Sequence, residues 1–163
     1  MAISDDLLRI AQQERILQFP AFAENDAWIL GCRLRDAAAA RNMRVVIDIR
    51  RFGQPLFFSA LTGSTPDNVE WARRKSNVVA RFHRSSYGMG LDLEEKKVTL
   101  LERFGLPLTE FAAHGGAFPL AVSGTGVIGS IAVSGLPQRE DHEFVVEMLC
   151  AELHRDYEQL RLR

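Results

Sequence analysis

Residues 44–51 (RVVIDIRR) and 55–61 (PLFFSAL) are two runs rich in valine, isoleucine and phenylalanine, and Gly53 lies between them. Branched and aromatic side chains favour extended backbone, and a glycine between two such runs favours a turn. The pattern predicts a β-hairpin. A second hairpin is predicted further along, where residues 117–122 and 127–134 flank a short segment that contains two glycines.

Helical patterns surround the two hairpins. Amphipathic spacing predicts helices over residues 4–18, 25–42 and 66–84 and from Pro137 onward, with a less regular segment at 88–109. The helix at 66 has a well-defined start, because Thr65 precedes a proline at the first helical position. In the second helix, Trp28, Cys32 and Ala39 are predicted to share one side.

The order of elements is helix, helix, hairpin, helix, mixed segment, hairpin, helix. It lacks the strand–helix–strand alternation that builds a parallel sheet. We therefore expect an α+β fold with a central antiparallel sheet flanked by helices. No linker or repeat interrupts residues 1–163, so a single domain is expected.

Composition excludes several classes of protein. A net charge of -1 over 163 residues argues against a nucleic-acid-binding protein, which needs a basic excess. The first residues are mixed and acidic, and no apolar run is long enough for a membrane helix, so we expect a cytoplasmic protein with no membrane partner. Cys32 and Cys150 are far apart and are expected to be reduced and structural.

A local basic cluster indicates a candidate site. Residues 41–84 carry nine arginines or lysines against three acids. At about 100° per residue, Lys75 falls within the apolar stripe of its helix, close to Trp71, while Arg74 and Arg81 flank that stripe. Lys75 either lays its stem along apolar surface with its charge paired, or holds an anionic ligand. Asp48 is the predicted acid partner.

Three further positions are candidates for ligand binding. His114 precedes Gly115 and Gly116, and paired glycines allow backbone N–H groups to approach a ligand, although a simple turn before a strand is an equal alternative. His83 lies near a helix end, where a cation is favoured in any case. Arg50 lies at the end of a strand.

The histidines and glycines fit no standard cofactor motif. The four histidines lack zinc-binding spacing, so no metal site is expected. GTGVIG at residues 124–129 follows one strand and enters another, whereas a dinucleotide site needs a helix there. No GxSxG elbow is present.

The stretches HGGAFPL (residues 114–120) and GTGVIGSIAVSGLP (124–137) resemble the haem-degrading-domain family, also called GlcG-like or HbpS-like. Further segments fit one branch of this family: LQFP (17–20), IDIRR (47–51), RRKSNVV (73–79), RFH (81–83) and DH (141–142). The resemblance covers nearly the whole chain. It implies a profilin-like fold, assembly into dimers or larger homo-oligomers, and binding or breakdown of haem, but it transfers no axial ligand or catalytic group to a numbered position.

Three functions remain open from the sequence. The first is an oligomeric binding protein whose Lys75, Arg81 or His83, with the turn at 114–116, holds a small anion such as a carboxylate metabolite or the propionates of haem. The second is an interaction or adaptor protein that assembles through its basic and amphipathic helices. The third is an enzyme acting on a small acid, for which the sequence shows no paired carboxylates and no nucleophile.

Overall fold

The computed structural model describes residues 2–163. Its helices are α1 (Ile3–Ile16), α2 (Glu24–Ala40), α3 (Pro66–Phe82), α4 (Ser86–Lys96), α5 (Leu100–Phe104), α6 (Gln138–Glu152) and α7 (Tyr157–Leu160). Its strands are β1 (Val46–Arg51), β2 (Gln54–Ala60), β3 (Ala117–Val122) and β4 (Gly126–Ser134). Both predicted hairpins and the four longer predicted helices are present.

The four strands form one antiparallel sheet in the order β2-β1-β4-β3. Each hairpin supplies one half, and β1 pairs with β4 in the middle, so that Ile49 lies opposite Ile131. The expected α+β architecture, a profilin-like antiparallel sheet flanked by helices, is confirmed.

The two faces of the sheet bury separate cores because side chains alternate along each strand. Ile47 and Ile49 of β1 point into the larger core, which α2 and α6 cover. Val46 points to the opposite face, where it packs with Ala72 and Val79 of α3. Helices therefore lie on both sides of the sheet, and α3 is held against the β4–β1 centre.

Trp28, Cys32 and Ala39 share one side of α2, as predicted, but that side is not the one that packs against the core. Trp28 is 61% exposed, and the buried side of the helix carries Ala27, Leu30, Gly31, Leu34 and Ala38. A Cβ at position 31 would collide with the ring of Phe57, so the helix turns its small residues towards the strand to approach it closely. Close packing, rather than burial of the largest ring, decides this orientation.

The less regular segment of the sequence forms α4 and α5. The Ser85 hydroxyl accepts a hydrogen bond from Gly88 N at the start of α4, and Thr99 accepts one from Glu102 N at the start of α5. Gly105, at φ 69°, ends α5. α7 was not predicted; at four residues it is too short to show a period.

Candidate functional site

A cleft of about 250 Å³ opens beside the first half of α3. It lies between that helix, the turn at residues 114–116 and the connection from β4 into α6. Its lining residues are Asn68, Trp71, Lys75, His114, Ser134, Gly135, Leu136, Gln138 and Asp141. It therefore brings together two sequence-predicted site residues, Lys75 and His114.

Lys75 lies at the buried end of the cleft. Only 5% of its side chain is exposed. Its Nζ donates to Asp141 Oδ2 at 3.0 Å and to the Val133 carbonyl oxygen at 3.3 Å. Lys75 is thus a buried residue with a paired charge, which was the first of the two alternatives. It also lines the cleft, where a ligand could reach it.

Asp141 is fixed by more than the lysine. It lies in the first turn of α6, and its carboxylate accepts hydrogen bonds from Leu136 N at 3.0 Å and Gly135 N at 3.3 Å. Burial raises the pKa of Asp141, with Lys75 and the two N–H groups opposing the rise. Burial likewise lowers the pKa of Lys75, with Asp141 opposing. Both shifts run towards the uncharged forms, because burial removes the two groups from water.

The predicted pairing of Lys75 with Asp48 is wrong. Asp48 does lie on the α3 face of the sheet, as the alternation of β1 required, and it is 2% exposed. Its carboxylate instead accepts from Arg50 Nε at 2.9 Å and Nη2 at 2.5 Å. Residues two apart on a strand share a face, so Arg50 is the nearer cation.

The glycine pair allows the turn to approach the Lys75–Asp141 pair. A Cβ at Gly116 would lie 2.7 Å from Lys75 Nζ, and its φ of 136° disfavours any other residue. The Gly115 N–H donates to Gln138 Oε1 at 3.2 Å, across the cleft. These contacts explain why small residues occupy this turn, and they place one backbone donor at the cleft wall.

His114 and Trp71 form the mouth of the cleft. Their rings meet edge to face with centroids 5.1 Å apart, and the Arg74 guanidinium lies 4.2 Å from the Trp71 ring centroid. Partial desolvation lowers the pKa of His114, and the positive charges of Lys75 and Arg74 lower it further. The lowered pKa favours the neutral imidazole at pH 7.

The remaining predicted site residues lie outside the cleft. Arg50 is engaged with Asp48. Arg81 is exposed on the last turn of α3, and His83, at φ 55°, ends that helix and stacks on Phe52 with ring centroids 5.8 Å apart. Lys75 and His114 thus line the cleft, and Gly115 and Gly116 adjoin it through their contacts with Gln138 and Lys75. Arg50, Arg81 and His83 lie apart from it.

Sequence reasoning missed several lining residues, of which Asp141 and Gln138 are the most important. Asp141 has a local signal, since an acid in the first turn of a helix is favoured by the helix dipole. Nothing local connects it to Lys75, because 66 positions separate the two. Asn68 lines the cleft while also accepting from Thr65 N at 2.8 Å to cap α3.

No group of three or more histidine, cysteine or acidic side chains within residues 2–163 is arranged to hold a metal ion. No helix in that range combines the length and the apolar character needed to cross a bilayer.

Comparison with known proteins gives consistent results. The family model described as "Haem degrading protein HbpS-like" matches residues 22–150. A UPF0303 protein of Paraburkholderia phymatum is 60% identical over 162 residues, which cover 99% of this chain and 98% of that protein. The resemblance drawn from the sequence motifs is confirmed.

Solved structures share the fold. The crystal structure of Ybr137w protein is 31% identical, with a TM-score of 0.84 over 91% of this chain and 87% of that one. The crystal structure of a PduOC–haem complex is 17% identical, with a TM-score of 0.67 over 80% of this chain and 94% of that one. At that identity the second likeness speaks for the fold alone.

Proposed function

This chain belongs to the HbpS-like haem-degrading protein family, and from that membership we propose that it is a binding protein whose cleft takes a small carboxylate. Arg74 supplies the positive charge, Lys75 supplies a hydrogen-bond donor, and His114 and Trp71 form the mouth. The family supplies the expectation of a ligand, whereas the class of ligand follows from the cleft of this chain.

The observation that carries the proposal is an unused hydrogen-bond donor on the Lys75 ammonium. An ammonium group has three N–H donors, and within residues 2–163 only two have acceptors. An acceptor in the cleft would satisfy the third. A carboxylate oxygen suits this position, because charge-assisted hydrogen bonds are about twice as strong as neutral ones.

The charges around the cleft favour an anion. Lys75 and Asp141 compensate each other. Arg74 forms no ion pair within residues 2–163, since its guanidinium donates to the Leu108 carbonyl oxygen at 3.0 Å. With His114 neutral, Arg74 carries the positive charge over the face of the Trp71 ring, while the Asp67 carboxylate accepts from Trp71 Nε1 at 3.2 Å, so an anion is favoured on the Arg74 side.

The size of the cleft favours a small ligand over haem. Pockets for drug-sized ligands have volumes of roughly 300–1,000 Å³, and this cleft has about 250 Å³. A porphyrin is larger than such a cleft can enclose. His114 offers one imidazole to an iron, but no second histidine, methionine, cysteine or tyrosine lines the cleft. The residues do not fit an enclosed haem.

A thermal-shift screen tests the proposal. Acetate, lactate, pyruvate and succinate are compared with the corresponding neutral amides. A bound ligand at about 100 times its Kd stabilises the folded state by about 2.7 kcal/mol. We expect carboxylates to raise the melting temperature and amides to leave it unchanged.

Two variants on the same helix provide the matched comparison. Arg74→Gln removes the charge beside the cleft, and Arg81→Gln removes an exposed charge that forms no ion pair among the described residues. The shift should shrink in the first and persist in the second. Equal shifts in both variants, or none in the parent protein, would contradict the proposal.

We further propose that the protein assembles as a homo-oligomer, as the resemblance implies, through apolar residues outside its N-terminal helix. Ile10 and Leu17 of that region are each 1% exposed within the chain, so they need no partner. Trp28 and Phe58 are instead 61% and 48% exposed. Phe58 lies on β2, an edge strand that carries no charged residue.

The adaptor alternative has less support. Its basic surface is largely internally paired, since Arg73 contacts both Glu70 and Glu110. Paired arginines offer little free charge to a partner.

A further inference from the structure

We propose that Lys75 is a nucleophilic amine that condenses reversibly with a small keto or aldehyde acid in the cleft to form a Schiff base. This inference rests on the proposed function, because it takes the cleft as the ligand site. It goes further by naming the reactive atom and the carbonyl class of the ligand.

The position of Lys75 in the cleft supports this proposal. Lys75 Nζ lies at the inner end of an open cleft and is walled by the backbone of Gly116, where any larger residue would intrude on it. The other two lysines of the chain, Lys96 and Lys97, are exposed at the end of α4. A ligand in the cleft therefore meets one primary amine.

The burial of the Lys75 amine also supports the proposal. A lysine amine attacks carbonyl carbon only when it is uncharged, and removal from water favours the uncharged form. Lys75 is 4% exposed, and burial lowers its pKa despite the opposing charge of Asp141. The cleft thus holds the amine closer to its reactive state than bulk solvent would.

A proton acceptor adjacent to the amine is the third argument. Asp141 Oδ2 is 3.0 Å from Nζ, so the ammonium proton can pass directly to the carboxylate. Gly135 N and Leu136 N hold that carboxylate in place. The pair therefore contains both the nucleophile and its acid–base partner.

The reaction balances with no further reagent. Asp141 takes a proton from the Lys75 ammonium, and the amine lone pair forms a C–N bond while the carbonyl π pair moves to oxygen. A proton moves from nitrogen to that oxygen. Asp141 then protonates the hydroxyl, the C–O bond breaks as water leaves, and the nitrogen lone pair closes the C=N bond. The protonated imine remains paired with the Asp141 carboxylate.

Arg74 selects the acid among carbonyl compounds. Its guanidinium lies 4.2 Å from the centroid of the Trp71 ring, and Trp71 lines the cleft. A keto or aldehyde acid whose carboxylate lies between Arg74 and the Lys75 N–H would have its carbonyl carbon beside that nitrogen. Neutral aldehydes would lack this orientation.

Reductive trapping tests the proposal. The protein is incubated with pyruvate and sodium cyanoborohydride, and modified residues are located by peptide mass mapping. We expect a stable adduct on Lys75 at a pyruvate concentration that leaves Lys96 and Lys97 unmodified. Lys75→Arg keeps the charge without a primary amine, and it should lose that adduct while Asp141→Asn should slow its formation.

Lactate has no keto or aldehyde carbon, so it can bind the carboxylate site but cannot form a Schiff base. It therefore separates the test of the site from the test of the reaction. Binding of lactate together with absence of a Lys75 adduct from pyruvate would overturn the Schiff base and leave the carboxylate site standing. Absence of binding by both acids would overturn the site itself. Equal labelling of all three lysines would also overturn the proposal, because it would show no special reactivity at Lys75.

Discussion

Lys75 Nζ and Asp141 Oδ2 lie 3.0 Å apart, and this contact joins the middle of α3 to the first turn of α6 across β4. Both side chains are almost fully buried. The contact fixes the two walls of the cleft relative to each other. Its stability and its chemistry are therefore linked, and they can be separated by mutation.

Removing the lysine charge should destabilise the fold. Lys75→Met keeps the stem but leaves Asp141 buried without a counter-charge, which typically costs about 3–5 kcal/mol. The free energy of unfolding from urea titration measures the loss. Lys96→Met is the control, because Lys96 pairs with Asp92 at the surface, where such pairs contribute about 0–1 kcal/mol.

A second substitution should restore much of that loss. Replacing Asp141 with leucine in the Lys75→Met background removes the isolated charge, although Gly135 N and Leu136 N then lose their acceptor. Recovery of part of the stability would identify the buried charge as the cause. A single Lys75→Met variant as stable as the parent would contradict this description of the pair.

His142 should make stability depend on pH. It is 1% exposed, its Nε2 lies 2.8 Å from Gln13 Oε1, and burial lowers its pKa to about 3. The unfolded chain takes up this proton near pH 6.5, whereas the folded protein resists it. The free energy of unfolding should therefore be undiminished above pH 6.5 and fall as pH drops towards 3, by up to about 1.4 kcal/mol per unit.

Comparing slopes isolates this contribution. The other three histidines and the carboxylates remain in His142→Gln, so urea titrations between pH 6.5 and 4 should show a shallower decline in that variant. Parallel declines in the two proteins would show that His142 does not cause the dependence.

Haem, if it binds at all, should bind weakly and through His114. That imidazole is exposed at the mouth and uncharged, but the cleft offers no second ligand. A hemin titration followed by absorbance should give a shift that His114→Ala abolishes. His83→Ala is the matched control, since His83 is also exposed and also contacts an aromatic ring. An unchanged absorbance shift in His114→Ala would show that His114 is not the haem ligand.

Light scattering should give the mass of an oligomer at micromolar concentration. Exposed Trp28 and Phe58 are the apolar side chains that an interface would cover. Trp28→Lys or Phe58→Lys should lower the mass, whereas Leu8→Lys, which changes an exposed residue of α1, should not. A monomeric mass for the parent protein would contradict the proposed homo-oligomer.

Periodicity predicts the elements of this fold well because each long helix and each hairpin carries its own pattern. It also placed Lys75 within an apolar stripe, where the structure buries it. Periodicity could not identify Asp141 as the partner, because the two residues meet only in the folded chain, where the end of β4 places the start of α6 beside Lys75. A nearer acid, Asp48, lies on the correct face but is already engaged by Arg50.

The orientation of α2 shows a second limit. Ranking residues by size favours burial of Trp28, but the strand beneath the helix carries Phe57, which needs the space above Gly31. Complementary shape between two distant segments is not visible in either segment alone. The same holds for the cleft, whose walls come from α3, the turn at 114–116 and the segment 134–141.

The most direct test of the carboxylate site uses Trp71 as a reporter. The chain has two tryptophans, Trp71 at the mouth of the cleft and Trp28 on the outer side of α2. In Trp28→Phe the fluorescence comes from Trp71, and in Trp71→Phe it comes from Trp28. Titration with lactate should give a saturable change in emission in Trp28→Phe and no change in Trp71→Phe, with lactamide inert in both. An identical response in the two variants, or no response in Trp28→Phe, would contradict the account.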